Sequence, residues 1–139
     1  MVNQRKTGAL ILAVAAAAAM LAVAMGAFAA HGLKAYISVT ALNTIKTAVL
    51  YQFIHSIAVI LCVLLAGQPH WQKQATLLIN SARLFLLGVV LFSGSLYALS
   101  LFEWRFMGPI TPIGGLAFIA GWLCLTWCGL RGYRDINDN

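Results

Sequence analysis

Acidic residues are nearly missing from this chain. Glu103, Asp135 and Asp138 are the only three among 139 residues. All lie outside the apolar runs, so there is no buried carboxylate pair for acid–base chemistry. Charge of either sign is scarce, 9% of residues against about 25% in an average soluble domain. With 62% of residues hydrophobic, that scarcity excludes a water-soluble monomer. The three cysteines, Cys62, Cys124 and Cys128, sit inside apolar runs and cannot form the disulfide framework of a small secreted protein. Cys124 and Cys128 share a helix face, but buried apolar thiols are ordinarily packing residues. No phosphate loop, dinucleotide fingerprint, zinc signature or internal repeat occurs. A Ser93 or Ser95 nucleophile with His55 as base would lack a carboxylate to orient it. The sequence therefore reads as a non-enzyme, with no catalytic residue, no metal site and no cofactor assigned.

What is there is apolar length. Four runs, about 8–30, 47–66, 82–102 and 111–130, reach the ~20 residues that a helix needs to span a bilayer. They are uncharged apart from Arg83 at the edge of the third. The expected fold is all-α: an integral membrane four-helix bundle forming one domain over 1–139. Between spans one and two, Leu33, Ile37, Ala41 and Ile45 recur every four residues among polar ones. This pattern predicts a short amphipathic interfacial helix, either separate from the second span or continuous with it. Gly67-Gln68-Pro69 stops span two, since a proline disfavours helix at the residue before it. The short 103–110 connection makes spans three and four an antiparallel hairpin. Thr111 is suited to cap span four and Pro112 to be its first residue, and the polar tail 131–139 is expected to fray. Arg5, Lys6 and the later Ala27-Phe28-Ala29 imitate a cleavable secretory signal. The apolar run from Gly8 to Ala30 is 23 residues long, more than the ~7 to 15 residues of such a signal's core, so it is read as a retained first span.

The nine basic residues punctuate the apolar runs rather than forming a patch, which points to lipid headgroups and away from nucleic acid. With four spans both termini share a side. That side carries Arg5, Lys6, Lys73, Arg83, Arg131 and Arg134, against Lys34, Lys46 and Arg105 on the other, so both termini are expected in the cytoplasm.

Polar residues inside the spans gather in the outer half. His31 ends span one. Tyr51, Gln52 and His55 share one face of span two by their spacing of three and four. Ser93, Ser95 and Tyr97 lie in the last turns of span three, and Thr111, Gly114 and Gly115 open span four. Such a face is costly in hydrocarbon and should point into the bundle. There it could form a binding pocket, or it could serve as interhelical glue, and the residues alone leave both open. The Gly114-Gly115 pair could expose backbone N–H groups to an anion or allow close packing. A haem or metal pair from His31 and His55 is disfavoured, because their depths differ by about two helical turns. His70 reads as a loop residue. Span one carries Ala18, Ala22, Gly26 and Ala30 at four-residue steps, and span four carries Ala117 and Gly121, small-residue stripes suited to close helix approach.

At these residues the chain resembles a known family. The matching words are Gly26-Ala27-Phe28-Ala29-Ala30-His31-Gly32-Leu33, Tyr51-Gln52-Phe53-Ile54-His55, Leu91-Phe92-Ser93-Gly94-Ser95-Leu96-Tyr97, and Thr111-Pro112-Ile113-Gly114-Gly115 followed by Gly121-Trp122. In order, they are similar to the YgdD-like small inner-membrane proteins of bacteria, a family of unknown function with distant eukaryotic relatives. Ala29 departs from the glycine usual there. The resemblance implies a four-span protein of the bacterial inner membrane with both ends inside, and it implies no activity.

Two functions stand ahead of a third, an enzyme or redox carrier using the histidines. One is a non-enzymatic binding module for a lipid or small amphiphile, with a polar pocket around His31, Tyr51, Gln52, His55, Ser93, Ser95, Tyr97, Thr111, Gly114 and Gly115. The other is a structural or accessory subunit that self-associates or joins a larger membrane complex.

Overall fold

The structure, a computed structural model, describes residues 2–137, with side chains described from Lys6 to Asp135. The chain is all-helical among the described residues. Its first helix, α1 (Val2–His31), is built almost wholly from alanine and aliphatic residues, which keep side-chain freedom in a helix or have none to lose. α2 (Val39–Ala66) begins at Ser38, whose hydroxyl accepts the Ala41 N–H at 3.1 Å, and stops at Gly67 as the Gly-Gln-Pro signal requires. The third span is a composite. After a 3-10 segment, Pro69–Gln74, comes α3 (Ala75–Gly88), then a five-residue π turn, Val89–Ser93, then α4 (Gly94–Phe102). α4 ends on Glu103 in the left-handed region, φ 56°. The last helix is α5 (Ile110–Asn137).

Four helices among the described residues are long and apolar enough to cross a membrane: Lys6–His31, Val39–Ala66, Pro69–Phe102 and Arg105–Asp135. Each exceeds the ~20 residues needed, leaving room for tilt or for turns beyond the hydrocarbon. Side chains such as Leu10, Leu21, Val90, Leu116 and Leu123 are exposed on the outside of the bundle. Lipid covers such surface, and within it helices satisfy their own backbone groups.

Three sequence expectations are adjusted. The 31–46 segment is not a separate amphipathic helix: Leu33–Ala35 forms a 3-10 turn and the part from Val39 is the beginning of α2. The residues after Leu130 do not fray at once, because α5 continues through Asn137; residues 138 and 139 lie outside the described residues. Gln74 on the third span donates to Asp135 there, and Trp71 packs on Gly132, which anchors these added turns. Thr111 is not the cap of α5. The helix starts at Ile110, and the Thr111 hydroxyl instead pairs with Ser95 at 2.7 Å. Pro112 still falls in the first turn, where its missing N–H has no intrahelical partner to lose.

Neighbouring spans are antiparallel. α1 lies along α2 and touches α3 sparingly, while α5 lies along α3, the π turn and α4. The buried seam of α1 on α2 is Ile11, Ala15, Ala22 and Ala29, with Ala18 and Met25 partly buried between them. The expected four-residue stripe ends differently, since Ala30 is exposed. Steps of four drift around a helix, whereas alternating steps of four and three keep a seam facing one partner. On α5, Ala117 and Gly121 are buried as expected, and a Cβ on Gly121 would meet the Phe85 ring at 2.6 Å.

Two apolar cores result. One, toward the end of the bundle that carries the termini, contains Ile11, Ala15, Val59, Cys62, Phe85 and Phe118. The other, toward the end with the two hairpin connections, centres on Ala29, Leu42 and Ile45.

Candidate functional site

A layer of polar side chains lies between these cores. Gln52, nearly buried at 6% exposure, donates from Nε2 to the Ala18 carbonyl at 2.8 Å, and its Oε1 accepts the Tyr97 hydroxyl at 2.8 Å. One amide thus ties α1, α2 and α4 together. Ser93, at the end of the π turn, donates to the Ala48 carbonyl at 2.9 Å. Ser95 reaches the Phe92 carbonyl at 2.9 Å as well as Thr111. Two residues apart on a helix point in nearly opposite directions, so Ser93 ties span three to α2 while Ser95 ties it to α5.

His55 is held on both sides. Trp122 Nε1–H donates to its Nε2 at 3.2 Å, which makes Nε2 the acceptor and Nδ1–H the donor to the Tyr51 carbonyl at 2.8 Å. That is the bonding pattern of a neutral imidazole with both nitrogens engaged. The ring stacks on Phe118 at 3.6 Å between centroids and meets Phe85 at 5.5 Å. Tyr51 contributes its carbonyl and a ring contact with Phe92 at 4.6 Å. Two buried hydroxyls near this layer, Ser56 and Ser100, have no hydrogen-bond partner among the described residues.

The sequence residues are therefore only partly brought together. Tyr51, Gln52, His55, Ser93, Ser95, Tyr97 and Thr111 form the layer. Gly114 packs against the π turn: a Cβ there would lie 2.3 Å from the Phe92 backbone nitrogen. Gly115 has room, with its nearest neighbour at 3.9 Å, and His31 stands exposed at the end of α1. The Gln52–Ala18 bond sets the antiparallel register and puts His31 about 24 Å along α2 from His55, too far for a shared haem or metal. No group of three or more metal-ligating side chains occurs among the described residues.

Two cavities have described linings, and neither includes any of these residues. The larger, about 670 Å³, opens where α1, α2 and α3 diverge at the terminal end. Thr76, Asn80 and Arg83 line it from α3 beside Ile79, Thr7 and Gln72 add polar groups, and Gly8 and Val63 are among the apolar residues contributed by α1 and α2. Positions 76, 80 and 83 are four and three apart, so they share a face of α3. That spacing was visible in the sequence, where Arg83 was read as a marker of the membrane interface. The aromatic box of Phe85, Phe118 and Trp122 around His55 carried no comparable signal. The second cavity is an apolar groove of about 550 Å³ along α1 and α2, lined by Ala22, Gly26, Val49 and Phe53, with Lys46 at its edge.

A family model described as a protein of unknown function (DUF423) matches residues 25–115. The chain belongs to the DUF423 family. Its DUF423-type relatives include a UPF0382 membrane protein of Staphylococcus haemolyticus, 43% identical over 117 residues that cover 84% of this chain and 91% of the relative. A UPF0382 membrane protein of Haemophilus influenzae is 42% identical, covering 84% and 90%. The UPF0382 inner membrane protein YgdD of Escherichia coli is 37% identical, covering 90% and 92%. No solved structure matches. This DUF423 chain is a multi-pass membrane protein, as the four spans and the relatives' names agree.

Proposed function

We propose that the protein is a non-enzymatic membrane module that binds a lipid or small amphiphile, and that its site is the cavity at the terminal end of the bundle. The observation that carries this reading is the mixed lining: Thr76, Asn80 and Arg83 beside Ile79 on α3, Thr7 on α1 and Gln72 also polar, and Gly8, Val63 and Ala66 apolar. Open space bounded by both kinds of surface suits a molecule with a polar head and an apolar body. The layer around His55 then acts as glue between helices, a reading supported by its bonds to its own chain. The charge count supports a cytoplasmic terminal end, from which leaflet the amphiphile would then enter.

Native mass spectrometry from mild detergent tests the reading, with Gly8→Leu as the blocked form. A Cβ on Gly8 meets Val63 at an ordinary 3.7 Å, so the added side chain extends into the cavity without moving backbone. Retained amphiphile should fall severalfold in Gly8→Leu while the helical content is unchanged. Equal retention in both proteins would remove the cavity from consideration.

A second reading, a subunit that self-associates or joins a larger membrane complex, is favoured by the apolar groove between α1 and α2 that the small residues Ala22 and Gly26 help to line. Small residues permit close helix approach. Gly26→Leu would disperse such an oligomer in cross-linking experiments.

A further inference from the structure

The terminal-end cavity carries charge of one sign among the described residues. Arg83 is the charged residue of its lining, and no Asp or Glu lines it among the described residues. The two acids with described side chains are engaged elsewhere: Glu103 begins the hairpin at the opposite end, and Asp135 accepts from Gln74. Arg83 reaches the Asn80 oxygen from Nη1 at 3.5 Å, long for a hydrogen bond. A guanidinium presents five N–H donors in a flat fork that matches a carboxylate or phosphate. Asn80 offers that oxygen to Arg83 and retains its amide N–H donors, and Thr76 adds a hydroxyl one turn nearer the start of α3. These three groups rise along one face of α3. Arg83 stands eight residues from its start, about 12 Å along the helix, with its side chain exposed. A charged side chain at the edge of a span ordinarily faces a partner, water or a headgroup. Ile79 on the same helix and Val63 on α2 supply apolar surface beside these groups.

We infer that the group this cavity takes is an oxyanion, phosphate or carboxylate, carried on an apolar chain and countered by Arg83, with Asn80 and Thr76 as hydrogen-bond donors. The inference rests on the reading that the cavity holds an amphiphile, and adds the charge and chemistry of its head. A zwitterionic head would bring a cation toward Arg83 with no acid in the lining to receive it. An anionic head places its charge against the one fixed charge present and leaves nothing unpaired.

The test uses the full-length protein in mild detergent, doped in separate runs with phosphatidylglycerol or phosphatidylcholine, and with inorganic phosphate as competitor. Wild type should retain phosphatidylglycerol over phosphatidylcholine by roughly tenfold, the scale of one charge-assisted contact. Arg83→Gln should bring the two to parity while still retaining amphiphile, and Arg83→Lys should keep part of the preference. Equal retention of both lipids by wild type, or an undiminished preference in Arg83→Gln, overturns the oxyanion inference and leaves amphiphile binding standing. Retention untouched by Gly8→Leu for either lipid overturns the amphiphile reading itself and this inference with it. Displacement of phosphatidylglycerol by inorganic phosphate supports the oxyanion site and names a free anion as its source. Preference for phosphatidylglycerol without such displacement supports it with the lipid as source.

Discussion

The His55 layer and the Arg83 wall are two polar regions on the same pair of spans, and they solve opposite problems. Around His55 the helices close on one another: Gln52 and His55 use both of their polar atoms within the chain, and four aromatic rings, of Tyr51, Phe85, Phe118 and Trp122, surround the imidazole. Around Arg83 the helices part, and the polar groups face space. A polar side chain in a membrane bundle must find a partner. Where the partner is protein the result is cohesion, and where the helices leave room the partner must come from outside. On the proposed reading, the conspicuous histidine belongs to the scaffold and the less conspicuous Thr76–Asn80–Arg83 stripe to the site.

Substitutions on the two sides should separate stability from binding. The largest loss of stability is expected at Gly114, where an added Cβ would meet Phe92 backbone rather than a movable side chain. Gly114→Ala should cost about 3 kcal/mol, at the upper end for overpacking, because the π turn itself must shift. Gly115→Ala, with 3.9 Å to its nearest neighbour, should change stability by less than about 0.5 kcal/mol. Unfolding of both variants in detergent measures the difference, and equal costs would show that the close approach of α5 to the π turn is not what these glycines support.

His55→Ala comes next, at about 3 kcal/mol: it leaves a void against Phe118 and Phe85 and deprives the Trp122 N–H of its acceptor. Retained amphiphile per folded molecule should match wild type. A folded His55→Ala protein that has lost its lipid would break the comparison and return the site to the polar layer. Tyr97→Phe is milder, about 1 kcal/mol, since it removes one donor to Gln52 Oε1 and no packing volume.

Much of this was legible in the sequence, for identifiable reasons. Span limits follow from apolar length and from breakers such as Gly67-Gln68-Pro69. The convergence of Gln52, His55, Ser93 and Tyr97 follows from their shared faces and the cost of a polar face in lipid. The π turn was not legible: Val89-Val90-Leu91-Phe92-Ser93 contains no breaker, and the widened turn accompanies the packing of Gly114 on Phe92. Nor was the void legible, since a cavity is the divergence of three helices and no local pattern encodes divergence. The α1 seam was half legible. Small residues were recognised, but their stripe was followed at steps of four where the contact with α2 alternates between four and three.

The smallest effect on stability is expected at the residue with the largest proposed effect on binding. Arg83 is exposed, and its contact with Asn80 is long at 3.5 Å. Arg83→Gln therefore removes no tight packing and no strong bond within the protein, and unfolding should shift by less than about 0.5 kcal/mol. Were the guanidinium part of the scaffold, as His55 is, its loss would weaken the helix contacts and lower the melting temperature of lipid-stripped protein. A measured cost near that of Tyr97→Phe in stripped protein would place Arg83 with the glue and erase the contrast between the two regions. Unchanged unfolding of stripped protein, together with a smaller stabilisation on adding phosphatidylglycerol, would sharpen that contrast, because a group that binds only an outside partner contributes stability only when the partner is present.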